Sequence, residues 1–234
     1  MTAPAGAPAE LLGRWRRGEQ LLAGTVGQLP DGALSGPTLL PGWDRARLLA
    51  HVAGNADALV NLLTWARTGV ETPMYPSAEI RDAQIAGTAA LPPARLRAEV
   101  LAASGRLAAA VGTLPVDAWA VQVRTAQGRV VPAAEVPWMR CREVWVHAVD
   151  LAGSTSFADV PDEVLVALVE DVFATWDRWG QQVDVAVSAA GRRWGSGAVL
   201  VDGRLADVTG WVTGRSAGAG LSTAGALPEL PAWL

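Results

Sequence analysis

The strongest constraint on this chain is a run of helical-period apolar segments, cut at intervals by proline, glycine and capping residues. Leu11, Leu12, Trp15, Leu22, Val26 and Leu29 recur at helical spacing, and Pro30-Asp31-Gly32 ends that run. Asp44, after Pro41-Gly42-Trp43, can cap a second helix that continues to Gly69 with Leu48, Val52, Leu59, Leu62 and Leu63 on its apolar face. Ser77 can cap a third, to about Ala90, and Pro92-Pro93 can open a fourth, since proline is tolerated in a first turn. Further helices are predicted over about 134–151, closed by Gly153, and from Asp159, as cap, to Gly180. Trp119, Val121 and Val123 alternate ahead of Gln127-Gly128, which predicts a small hairpin or an irregular excursion.

The period changes after Gly180. Val183, Val185 and Val187 alternate, and Val199 to Val201 is a second strand candidate ended by Asp202-Gly203. A short helix fits RLADVTGWVTGR, and the proline-bearing tail reads as strand or coil. These patterns predict a helical bundle over residues 1–181 and a small α/β domain over 182–234. So small a domain has a marginal core of its own. The Ala/Pro/Gly-rich residues 1–8 are expected to be poorly ordered.

Charge and cysteine content narrow the function. A net charge of −4 and a pI near 5.2, with no basic block beyond RWRR at 14–17, argue against nucleic acid as a main partner. All 19 basic residues are arginine. The single cysteine, Cys141, excludes an internal disulfide framework and a cysteine-rich zinc ribbon. The N-terminus has no signal-peptide pattern, and no apolar run is long enough to span a membrane. The expected setting is the cytoplasm.

The chemistry-bearing residues are few. The two histidines, His51 and His147, fall inside helical segments beside apolar residues. Glu143 precedes His147 by four residues in MRCREVWVHAVDL, so the two share a helical face. Buried imidazoles and a buried carboxylate need partners, and facing helices of a bundle can supply them to one another through a metal. A His/Glu/His set suits zinc with an open fourth position, and also iron, nickel or cobalt. It could equally be an ordinary polar cluster. Asn55 and Asp150 lie near the same faces and could orient ligands. Cys141 points away from both Glu143 and His147 and has no activating base on its face, so it reads as packing. No role can be assigned to Arg81, Arg140 or Arg142, nor to the eleven tryptophans, which read as filler.

The stretches HVAGNADALVNLLTWARTGVETPMY and TAQGRVVPAAEVPWMRCREVWVHAVDL, with GWVTGR and the ending STAGALPELPAWL, resemble the mycothiol-dependent maleylpyruvate isomerases of actinobacteria. The resemblance runs from about Gly42 to Leu234 and is weaker over 182–210. It implies an α+β protein: a DinB-like antiparallel four-helix bundle followed by a small sterol-carrier-like α/β domain. It implies zinc held by His51, Glu143 and His147, mycothiol as thiol cofactor, and a needed arginine that falls on Arg215. The implied activity is cis–trans isomerisation of maleylpyruvate to fumarylpyruvate, a small dicarboxylate, in gentisate breakdown. A mycothiol S-transferase, or a non-catalytic zinc or thiol sensor, would use the same bundle.

Overall fold

Capping chemistry sets most of the helix boundaries in this computed structural model, which describes residues 9–233. The tip at residues 1–8 lies outside the described residues. Helix α1 spans Ala9–Gln28, α2 Arg45–Thr68, α3 Ala78–Ala89, α4 Pro93–Gly112, α5 Val136–Asp150, α6 Asp162–Arg178 and α7 Leu205–Val212. The Asp44 carboxylate accepts from the backbone N–H of Arg47, and Ser77 accepts from Ile80, so two orphan donors at helix starts are satisfied. Gly69 closes α2 in the left-handed region, with φ of 74°.

Two caps differ from expectation. Asp159 does not start α6. It belongs to a separate turn, Phe157–Asp159, where it and Ser156 form a capping box, and Pro161 precedes α6 instead. At the end of α5 the left-handed residue is Ala152, with φ of 50°, rather than Gly153. Arg45 explains why an alanine holds there. Its Nε and Nη2 donate to the carbonyls of Leu151 and Ala152, which would otherwise be unmatched at the helix end.

Four helices close into a ring of contacts: α1 against α5, α5 against α2, α2 against α4, and α4 against α1. This is the four-helix bundle, with α3 packed on α2. Helix α2 is buried on most sides, through Leu48, Leu49, Val52, Leu59, Leu62 and Leu63. Gly18 lets α1 approach α5, since a Cβ there would stand 2.6 Å from Val144 Cγ2 and 2.7 Å from Trp145 Nε1. The predicted hairpin is present, with β1 at Gln122–Arg124 antiparallel to β2 at Val130–Pro132. Trp119 falls in a preceding 3-10 turn rather than in the strand.

One side chain ties the ring together. Arg140 of α5 is fully buried. Its Nε donates to Glu19 of α1 at 2.8 Å. Its Nη1 donates to the Val52 carbonyl at 2.7 Å and to Asn55 Oδ1 at 3.1 Å, both on α2. Its Nη2 donates to Ser104 Oγ of α4 at 3.0 Å, and Ser104 in turn donates to Glu19.

The chain divides into two compact units, Met1–Ser154 and Thr155–Leu234. The composition change had placed this division near 182. The difference is α6, which packs against α7 of the second unit. The second unit also holds a four-stranded sheet in the order β4-β3-β5-β6. Its strands are β3 at Val185–Ala189, β4 at Arg192–Trp194, β5 at Val199–Asp202 and β6 at Ser222–Thr223. β3 and β5 are parallel, although only β4 and a short return lie between them. Gly195 and Gly197 permit that return: a Cβ at either would collide with the backbone around Val185.

Replacing Arg140 removes donors to three helices and leaves Glu19 without its cation. Arg140→Ala is expected to lower stability by about 3 kcal/mol or more, read as a drop in the urea midpoint. A midpoint within error of the parent would show that the brace adds nothing.

Candidate metal centre

Helix packing brings together the residues that sequence spacing singled out. One turn of α5 stacks Glu143 beneath His147, and the α2–α5 contact presents His51 to both. His51 Nε2 lies 3.1 Å from Glu143 Oε2, and His147 Nε2 lies 3.2 Å from the same oxygen. One donor atom from each residue lies within 4.8 Å of the other two. The imidazoles meet edge to face, with centroids 5.1 Å apart. Each side chain is at most 14% exposed.

The set fits a metal ion. Two donors on one tetrahedral zinc, each at ~2.0–2.1 Å, are separated by roughly 3.3 Å. The 3.1 and 3.2 Å separations are close to that. Two imidazoles and one carboxylate are the donor types of a zinc with three protein ligands and an open position. The same donors accept iron, nickel or cobalt.

The two histidines are held differently. His147 Nδ1 is 2.8 Å from Asp150 Oδ2, and Asp150 is fully buried. That carboxylate accepts a hydrogen bond from Nδ1–H and turns Nε2 toward Glu143, the arrangement that orients a metal-binding imidazole. His51 has no carboxylate behind it among the described residues. Its Nδ1 lies 3.5 Å from Arg81 Nη2, and the Trp43 ring meets its edge at 5.6 Å.

Without a metal, the cluster satisfies itself with protons. Burial opposes charge on His147, but the hydrogen bonds to Asp150 and Glu143 outweigh it and raise the imidazole to about 9. Burial also opposes charge on Glu143, yet the hydrogen bonds from His147 and His51 hold its carboxyl well below the usual range. For His51 burial dominates and lowers the imidazole despite its bond to Glu143. At neutral pH the metal-free centre is therefore a protonated His147, an ionised Glu143 and a neutral His51.

A cavity of about 540 Å³ opens beside His51 and Glu143. Its walls are α2, the 71–77 loop, the start of α3, the hairpin turn and α5, all in the first unit. Asn61 holds the loop by donating to the carbonyls of Pro73 and Met74. The hairpin joins it through the Ala126 N–H, 3.2 Å from Met74 Sδ.

Other sequence candidates fall as follows. Asp150 lies against His147 Nδ1, on the face its spacing suggested. Asn55 borders the cavity, but its oxygen accepts from Arg140. Cys141 is fully buried and its thiol is pushed up to about 12 by burial, which suits packing and not nucleophilic attack. Arg215 belongs to the second unit, where its Nη1 donates to the Thr213 carbonyl and its guanidinium lies 5.9 Å from the Trp233 ring. Sequence reasoning missed Trp43, Tyr75 and the cavity itself. The loop ETPMYPS carried only a turn signal, and tryptophans outside a motif looked like filler.

The profile of the mycothiol maleylpyruvate isomerase N-terminal domain matches residues 3–152. Among solved structures, the chain is similar to the crystal structure of the mycothiol-dependent maleylpyruvate isomerase, at 38% identity over 96% of each chain with a TM-score of 0.91. It is equally similar to the crystal structure of a histidine-to-alanine mutant of that enzyme, with 38% identity, 96% coverage of each chain and a TM-score of 0.91. None of the curated proteins matches.

Two outcomes follow for metal binding. Asp150→Ala is expected to weaken zinc affinity by about 10–100-fold, measured by competition with a chromophoric chelator; unchanged affinity would remove Asp150 as an orienter. A proton on His147 competes with the metal, and that proton leaves near pH 9. Zinc affinity should therefore climb as pH rises from 7 toward 9, with a proton released on binding. Calorimetry in buffers of different ionisation enthalpy reads this directly, and no proton release at pH 7 would contradict it.

Proposed function

The chain belongs to the mycothiol-dependent maleylpyruvate isomerase family, and we propose that it converts maleylpyruvate to fumarylpyruvate with mycothiol as thiol cofactor and zinc as metal. The observation that supports this is the His51–Glu143–His147 cluster bordering a cavity inside the segment that the family profile matches.

His51, Glu143 and His147 would hold the ion. When bound, zinc would keep the thiol of mycothiol as thiolate, the nucleophile whose reversible addition to the cis double bond leaves a single bond free to rotate before elimination restores the alkene in trans form.

The protein's own groups do the rest. Asp150 keeps the proton on His147 Nδ1 and the Nε2 lone pair free. Glu143 stays ionised, and its charge lies between the two imidazoles. Cys141 takes no part, because the nucleophile comes from outside the chain. Arg215 is assigned to the negative charge that develops as the double bond opens. No helix among the described residues is long and apolar enough to cross a membrane, and the cytoplasm, where a low-molecular-weight thiol stays reduced, is the assigned setting.

The test is isomerisation of maleylpyruvate by the zinc-loaded chain, with and without mycothiol. Turnover is expected only with mycothiol, and it should vanish on chelation and in His51→Ala. Arg215→Ala should lower kcat by about 10²–10³. Stoichiometric zinc with no turnover would sink the isomerase reading and leave a mycothiol S-transferase or a sensor.

A further inference from the structure

The cavity of the first unit carries more positive charge than a metal centre requires. Four arginines line it, Arg81, Arg124, Arg129 and Arg142, against the carboxylates of Glu71 and Glu143. Glu143 is occupied by the two histidines, and Glu71 is exposed. The lining thus carries two more arginines than carboxylates.

Arg81 reaches the donor cluster. Its Nη2 lies 3.5 Å from His51 Nδ1, which is at the limit for a hydrogen bond. A metal on Nε2 of His51 would place the ring proton on Nδ1, so Nη2 would face another donor and be left for a ligand. The guanidinium lies 5.6 Å from the Tyr75 ring centroid, within cation–π range. Its ion pair is with its sequence neighbour Asp82, whose side chain is 60% exposed; such a pair is weak. Arg124, on β1, has no side-chain hydrogen bond or ion pair among the described residues. Arg129 is paired with Glu135 at 3.7 Å.

We propose that Arg81 and Arg124 form a two-point carboxylate site in this cavity. Arg81 would bind the carboxylate nearer the His51–Glu143–His147 cluster, and Arg124 the carboxylate nearer the hairpin. Guanidinium forks suit this task, because each can take one carboxylate with two parallel hydrogen bonds. The ligand class is a short dicarboxylate, and that choice rests on the isomerase reading above.

The test is calorimetric binding of maleate, a cis dicarboxylate, to the zinc-loaded full chain without thiol. Arg81→Gln and Arg124→Gln should each raise Kd on the order of tenfold. Arg106→Gln removes an equal charge from a surface pair with Asp57 and Glu99 and should leave Kd unchanged. Zinc content and melting temperature are checked for each variant. If Arg81→Gln loses zinc, Arg124→Gln decides. Unchanged Kd in both variants, equal weakening in the Arg106 control, or no maleate binding by the parent would overturn the site. Selective weakening without maleylpyruvate turnover would keep the carboxylate site and remove the isomerase; turnover with unchanged maleate binding would do the reverse.

Discussion

A single buried guanidinium sets the alignment on which the rest of the first unit depends. Burying Arg140 is costly unless its donors are matched, and they are matched by a carboxylate, a carbonyl, an amide oxygen and a hydroxyl from three different helices. Each acceptor has a direction, so α5 cannot slide or rotate against its neighbours without breaking one. Glu143 lies one turn further along α5, and His51 directly precedes the Val52 whose carbonyl takes one of the bonds. The short distances within the His/Glu/His cluster are inherited from this brace. Glu19, Asn55 and Ser104 all serve the arginine.

The centre built on that frame is asymmetric. His147 is held from behind by a buried carboxylate, whereas His51, beyond its contacts within the cluster, borders the cavity beside an arginine and a tryptophan. One ligand is thus fixed by the core, and the other is adjacent to the space a ligand would enter. In the metal-free protein the protonated His147 takes over part of the work of the ion, donating from Nδ1 to Asp150 and from Nε2 to Glu143. Pairing of this kind lets three polar groups stay folded into an apolar bundle.

Much of this was legible in the residue order. Helical period and caps located the helices of the bundle, and the four-residue step from Glu143 to His147 placed both on one face. The step to Asp150 put a carboxylate within reach of His147. What local pattern could not supply was adjacency. An apolar stripe says that a face is buried, not what buries it, so α6 read like another bundle helix although it packs on α7. The cavity walls come from a loop, a turn and the start of a helix, whose side chains follow no period. Arg140 runs against the expectation that charged residues stay at the surface, and nothing in its neighbours along the chain announces that it is buried. Ala152 adopts a backbone conformation that glycine normally fills because of Arg45, a residue far away in sequence.

The division of the chain between Ser154 and Thr155 has an evolutionary reading. Every group that aligns the three donors, from Glu19 to Asp150, lies before that point. Substitutions in the sheet or the helices after it leave every one of these aligning side chains in place. A lineage could therefore vary its second half while the aligning residues of the first half remained under purifying constraint.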